Sequence, residues 1–597
     1  MSDITSTVSA EQEQQQTSIT SNGNLSYHSV GSAVLDYFSG VTRQTDDQKI
    51  IDLWNLAWEE SKVFSILALF QKRDCRGGAG ERKPFIFSFT QIPTEYRKLL
   101  YTLIPEYGYY DDLNKLAKDI PEDRDFIVKI LADKLYENLN WFFNISLDKE
   151  VLPKPKHFGL LEKWLPTEKG EDDRTWGAVT LIIENLKNRL PLLIQKLDTL
   201  DIEHRTSLRF NELSKNKYSA ITSLSRIEAT IPCYRKWCSF VRSLSGTVES
   251  YKHPNLWSYI NYQHVPSICF KQNSLQFSKH DPERFSEFLS LVVKKEKRIN
   301  TGQLSPYQLV ESMQKDADKL VVNQQWESLL TDMRQKIAHL NQENQFHPAN
   351  CLAIADISGS MSSGNPCRLA VALSLSILIS TLGQNPLYTF SEQPQKYIPN
   401  WTSLSEALDI IKDENYNTNF KILVDRISRD ITPNIKTIFI FTDGGFDNMC
   451  ELEPITGADY IRDKLGLDVK LIFWNIAGNV DDFMANKDHS NICLLSGFSK
   501  ELYTACMNLK DLSDLNPENF CQQTLLAERY TPIYDIIKDW DTVNSNIIKT
   551  RIPIEVSKWG RVRKLRKKIT NMSSTMLDDS QSIDNTWGSQ SIDDSWI

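Results

Sequence analysis

Residues 351–365 read CLAIADISGSMSSGN, and the rest of the chain is organised around this stretch. The uninterrupted apolar run Leu352–Ala355 predicts a strand buried on both faces of a parallel sheet. It stops at Asp356-Ile357-Ser358-Gly359-Ser360, and a helical pattern begins at Pro366. One carboxylate and two hydroxyls therefore share a loop at the carboxyl end of a strand, where open α/β sheets bind ligands because the loops diverge at a switch point. These are hard oxygen donors, suited to Mg2+, Mn2+ or Ca2+ rather than to zinc or copper.

Asp356-x-Ser358-x-Ser360 resembles the first element of the metal-ion-dependent adhesion site of von Willebrand factor A domains. That resemblance implies two further elements, a threonine on a later loop and an aspartate after a hydrophobic strand. Thr418 in NYNTNF precedes the amphipathic stretch Phe420–Ile427, and Asp443 follows the β-rich run Thr437–Thr442. The resemblance implies a Mg2+ (or Mn2+ or Ca2+) held by Asp356, Ser358, Ser360, Thr418 and Asp443, with one position open to a partner's Asp or Glu. Asn417 and Asn419 stand where relatives often carry Gly and Asp, so the intrinsic affinity for the ion is expected to be reduced. Helix capping by Asp356 and Ser358 is the simpler alternative, but it leaves Thr418 and Asp443 unexplained.

At 597 residues the chain exceeds one core. Its net charge of -9 excludes a protein that coats nucleic acid over its whole surface, so any nucleic-acid contact requires a local basic patch. The ten cysteines include no CxxC pair or zinc spacing and read as buried thiols of a reducing compartment. With no signal peptide and no apolar run of membrane-spanning length, the expectation is an intracellular, cytoplasmic protein, with nuclear or virion association as variants. The alternation of strands and helices from about Phe346 predicts a doubly wound α/β domain over 346–545. Residues 1–23, rich in Gln, Ser and Thr, are expected to be a disordered tail. Between them, 24–345 shows recurrent three- and four-residue apolar spacing and predicts an array of short helices akin to HEAT-like repeats.

Five phrases of the helical region, KRDCRGGAGERK (72–83), YGYYDDL (107–113), KWLP (163–166), HVPS (264–267) and KHDPERF (279–285), carry a second resemblance. They look like an uncharacterised family of plants, fungi and large DNA viruses that joins a TROVE-like helical region to a von Willebrand A domain and is distantly similar to Ro 60 kDa ribonucleoproteins. That resemblance implies a scaffold binding small structured RNA. The residues offer two candidate phosphate contacts: Lys72, Arg73, Arg76, Arg82 and Lys83 around a Gly-rich turn, and the run Lys294, Lys295, Lys297 and Arg298. The simpler reading of both is charge paired with neighbouring acids. His264 and His280 read as packing or capping residues.

The segment 546–597 opens with a basic cluster, RVRKLRKK (561–568), and ends in the tandem SQSIDNTWG (580–588) and SQSIDDSWI (589–597). Ile583, Trp587, Ile592 and Trp596 recur as apolar anchors in an acidic setting and read as paired docking motifs for a protein partner. Back-folding onto the basic cluster is the alternative. No Ser-His-Asp order, HExxH or Walker pair is present, so the chain is expected not to be an enzyme. The whole reads as a non-enzymatic RNA-binding, ribonucleoprotein-like scaffold with a metal-dependent protein-binding site. An assembly protein, in a viral setting, that contacts protein partners only is the alternative class.

Overall fold

The structure is a computed structural model that describes residues 17–20, 23–147, 160–187, 234–235, 238, 248–252, 255–302, 304–314, 319–340, 342–390, 394–411, 419–445, 456–466, 468–509 and 515–542. A helical amino-terminal region is followed by a mixed α/β sheet. Among the described residues no helix is long and apolar enough to cross a membrane.

The chain opens with a hairpin of β1 (Thr17–Ile19) and β2 (Leu25–Tyr27), paired antiparallel. Thr17–Ile19 fell within the segment expected to be disordered; pairing with β2 orders it, and β2 in turn exchanges backbone hydrogen bonds with Phe483. The large sheet contains β3 (Cys351–Asp356), β4 (Leu387–Phe390), β5 (Gln395–Tyr397), β6 (Thr437–Thr442), β7 (Lys470–Asn475) and β8 (Ile492–Ser496), in the order β5-β4-β3-β6-β7-β8. All neighbours are parallel except β4 and β5. β3 and β6 are buried at every position, which explains their continuous apolar runs. The helix Arg368–Gly383 buries every residue from Ala370 to Ser380, so its apolar character all round reflects packing on several sides.

The strand order reverses between β3 and β6. The chain passes from β3 to β4 on one side and from β6 to β7 on the other, an arrangement in which the loops after two such strands diverge at their carboxyl ends. Asp356 ends β3, and Asp443 follows the last residue of β6.

The helical and sheet regions do not keep separate cores. One contiguous hydrophobic core runs from Val30 to Trp540 and includes the helices Ala33–Gly40, Lys62–Arg73 and Pro517–Leu525 together with the sheet. A second, smaller core around Trp257, Phe270, Phe277, Phe285 and Phe288 is built by the helices Ser267–His280 and Pro282–Val293. His280 stacks on Trp257 there, with ring centroids 4.5 Å apart, a packing role.

Candidate metal centre

The end of β3 is folded onto itself by short hydrogen bonds. The Ser358 amide donates to Asp356 Oδ1 at 3.0 Å, and the Ser358 and Ser360 hydroxyls lie 3.2 Å apart. From the end of β6, the Thr442 hydroxyl donates to Asp356 Oδ2 at 2.8 Å, and the Gly445 amide donates to Asp443 Oδ1 at 3.1 Å. Asp356 is wholly buried, Asp443 and Ser358 nearly so, while Ser360 is exposed. The structure therefore brings Asp356, Ser358, Ser360 and Asp443 together at the switch point. Thr418 lies outside the described residues; Asn419 caps the next helix by accepting from the Ile422 amide at 3.1 Å.

Thr442 belongs to the same cluster, and motif reasoning missed it. Its only sequence signal was its place immediately before Asp443 at the strand end. With both Asp356 oxygens held by donors, the carboxylate is fixed in orientation before any ligand arrives. Burial, and next the charge of Asp443, push the Asp356 carboxyl above its ordinary range. Two carboxylates and two hydroxyls form an all-oxygen donor set with excess negative charge, which fits Mg2+ or Mn2+. Among the described residues no three His, Cys, Asp or Glu side chains converge as a metal cluster.

Arg368 borders the cluster. Its guanidinium is 3.7 Å from Asp443 Oδ2 and 3.5 Å from the Ser360 carbonyl, and its Nε donates to Gln44 Oε1 at 2.8 Å. Gln44 also donates to the Pro366 carbonyl at 2.8 Å. Gly364, with φ +95, leaves room for that amide; a Cβ there would come within 2.7 Å of Gln44 Oε1. The amino-terminal region is thereby seated on the rim of the crevice, with a guanidinium opposing any bound cation. Arg368→Gln is expected to tighten divalent-ion binding on the order of tenfold by removing that repulsion, as measured by Mn2+ titration followed by electron paramagnetic resonance.

The first basic cluster is placed differently from its expected role. Lys72 and Arg73 are buried and cannot reach a phosphate, which corrects their reading as RNA contacts. Lys72 Nζ donates to the Val41 carbonyl at 2.8 Å and to Ser496 Oγ, at the end of β8, at 2.6 Å. Arg73 Nε donates to Asp112 Oδ2 at 2.8 Å, in a pair whose side chains are 3% and 0% exposed. The Arg76 guanidinium, half-buried, donates to the carbonyls of Glu106 and Gly108 at 3.0 and 3.1 Å. Arg82 pairs with Asp111 and lies 2.7 Å from Asp112 Oδ1, and Lys83 pairs with Asp47 at 2.7 Å. The turn between them is held to the carboxyl-terminal helices by Asp74, which accepts from Arg529 and, at 3.3 Å, from the Tyr530 hydroxyl. Paired acids thus take up Arg73, Arg82 and Lys83, carbonyl and hydroxyl oxygens hold Lys72 and Arg76, and the cluster forms a joint between the amino-terminal helices and the sheet region.

Burial pushes the Lys72 amine down to about 7. An unfolded lysine keeps its ordinary pKa of about 10.4, so over the window between these values the unfolded chain binds more protons and stability rises with pH. Lys72→Met is expected to remove that slope, worth up to about 2 kcal/mol between pH 7 and 9, as read from urea midpoints of the two proteins at both pH values.

The second basic run lies elsewhere. Lys294, Lys295 and Lys297 follow the helix Pro282–Val293, are exposed, and have no ion pair among the described residues. Arg298 is exposed and pairs with Asp332 at 3.0 Å. The basic segment 561–568 and the tail anchors Ile583, Trp587, Ile592 and Trp596 lie outside the described residues.

Residues 108–338 match a domain of unknown function (DUF2828), and residues 350–532 match a second (DUF7788). Neither family model covers half the chain. The sequence is 24% identical over 614 aligned positions to the uncharacterized protein L728 of Acanthamoeba polyphaga mimivirus, covering 94% of this chain and 96% of the viral protein. That alignment spans both matched segments, whose boundary falls just before β3. Comparison with the crystal structure of the Deinococcus radiodurans Ro (RSR) protein gives a TM-score of 0.40 at 13% identity, covering 80% of this chain and 99% of that one.

Proposed function

We propose that the protein is a non-enzymatic scaffold that recognises an acidic group of a protein partner through a divalent cation held at the crevice between β3 and β6. The observation that carries this reading is the convergence of Asp356, Ser358, Ser360 and Asp443 from two separate strand ends, with Asp356 oriented by Ser358 and Thr442. Mg2+ or Mn2+ would be held by these residues, and Thr418 is the further ligand that the von Willebrand A resemblance supplies. When bound, the ion offers a coordination position to a partner's Asp or Glu. Ser358 and Ser360 supply neutral oxygens, the two aspartates supply the charge, and Thr442 fixes the first of them in place. The tail anchors Ile583, Trp587, Ile592 and Trp596 add a second, tethered contact for a protein partner.

The direct test is Mn2+ binding to the full chain by electron paramagnetic resonance, with Mg2+ as competitor, followed by capture of partners with and without chelator. Saturable binding displaced by Mg2+, together with chelator-sensitive capture of an acidic partner, supports the reading. Absence of saturable binding removes it.

RNA binding is a second function of the same scaffold. It is favoured by the lysines of the run 294–297, exposed and without an ion pair among the described residues, rather than by the first cluster, whose charges are held internally. A scaffold that contacts protein partners only is the contrasting outcome.

A further inference from the structure

A cavity of about 300 Å3 lies between the segment 259–263 and the helix Pro282–Val293, beside the exposed lysine run. Its floor is aromatic, formed by the buried Tyr262 and Phe288. Tyr259 stands at its rim, 42% exposed, a large ring left in water on a segment that is otherwise well anchored. The anchoring comes from Arg284, whose guanidinium donates to the carbonyls of Trp257, Ser258 and Ile260 and pairs with Asp281 at 2.8 Å. The remaining exposed rim groups are Asn261, Gln263, Glu287 and Lys297.

The geometry points to a binding site for an unpaired nucleotide of a single-stranded RNA, an inference that rests on the RNA reading above and assigns its contact. A nucleobase has two apolar faces and an edge of donors and acceptors. The site matches both: Tyr259 offers a stacking face at the mouth, and Gln263 and Glu287 offer amide and carboxylate partners for the edge. The phosphates on either side of that base would meet Lys294, Lys295 and Lys297, opposed within the run only by Glu296. On a chain of net charge -9 this is a local basic island, and its exposed lysines are within reach of a phosphate where the buried Lys72 and Arg73 are not. A duplex presents no free base to the cavity, so single strands are preferred to paired ones.

The test uses the full chain and a fluorescently labelled single-stranded RNA of mixed sequence, with anisotropy read over a salt series and a matched duplex as competitor. Lys294→Glu with Lys295→Glu and Lys297→Glu is expected to weaken binding on the order of 100-fold and to lower the salt slope by about 2. Tyr259→Ala is expected to weaken binding on the order of tenfold with the salt slope unchanged, because stacking rather than charge is lost. All four positions are exposed, and thermal unfolding of each variant checks that the fold is retained. RNA binding by the native protein that neither variant alters would overturn the site while leaving the RNA reading standing. No RNA binding by the native protein would overturn both.

Discussion

Asp356→Asn combined with Asp443→Asn is expected to abolish saturable divalent-cation binding, a loss of at least about 100-fold in affinity, while leaving the chain folded. The two aspartates carry the negative charge of the described site; Ser358 and Ser360 add only neutral oxygens. An asparagine at 356 can still accept from the Ser358 amide through its oxygen, and its amide nitrogen can meet the Thr442 hydroxyl reversed as an acceptor. Without metal the double variant should be at least as stable as the native protein, because it no longer buries a charged carboxylate beside a second one. The native protein at 100 times its dissociation constant for Mn2+ should gain about 2.7 kcal/mol against unfolding, and the variant should gain none. Urea unfolding of both, with and without Mn2+, checks the prediction. An equal response of the two proteins would place the ion elsewhere.

Asp112→Ala is expected to be among the most damaging single changes outside the apolar core, costing about 3–5 kcal/mol. Asp112 accepts from Arg73 Nε at 2.8 Å and from the Tyr109 amide at 2.9 Å, and Arg82 lies 2.7 Å from it. Its removal strands the buried Arg73 charge, which cannot reach water. The packing is tight as well: a Cβ on Gly108 would come within 2.1 Å of Asp112 Oδ2 and 2.9 Å of Arg73 Nε, so glycine is needed for the approach. Replacing both partners, as Arg73→Met with Asp112→Leu, should recover most of the loss, since no unpaired charge remains. The urea midpoint followed by tryptophan fluorescence measures each. Arg298→Ala serves as contrast: its pair with Asp332 is 56% and 29% exposed, and its loss should shift the midpoint by no more than about 0.5 kcal/mol.

The fold was legible in the sequence wherever a local pattern reported its own burial. The runs Leu352–Ala355 and Thr437–Thr442 could be strands only if covered on both faces, and they form the adjacent central strands β3 and β6. That Asp356 and Asp443 end strands was legible from the same two runs; that they end neighbouring strands comes from the parallel pairing of β3 with β6. Thr442 escaped because a threonine at the end of a strand is ordinary; its role comes from a hydrogen bond across 86 residues to Asp356.

What sequence alone determined here is periodicity, charge and the chemistry of the donor set: a helical part, an α/β part, and hard oxygen donors in one loop. Tertiary structure alone decided which charges remain available to a ligand. KRDCRGGAGERK and VVKKEKRINTG look alike as basic turns, yet Asp47, Asp111 and Asp112 pair with cations of the first, while three lysines of the second are left in water. Asp111 and Asp112 come from the helix Tyr110–Asp119 and Asp47 from the helix Asp47–Glu60, while the turn's own Asp74 is taken up by the distant Arg529. A charge is spent or free according to the partner that packing places beside it, and that partner is not local in sequence.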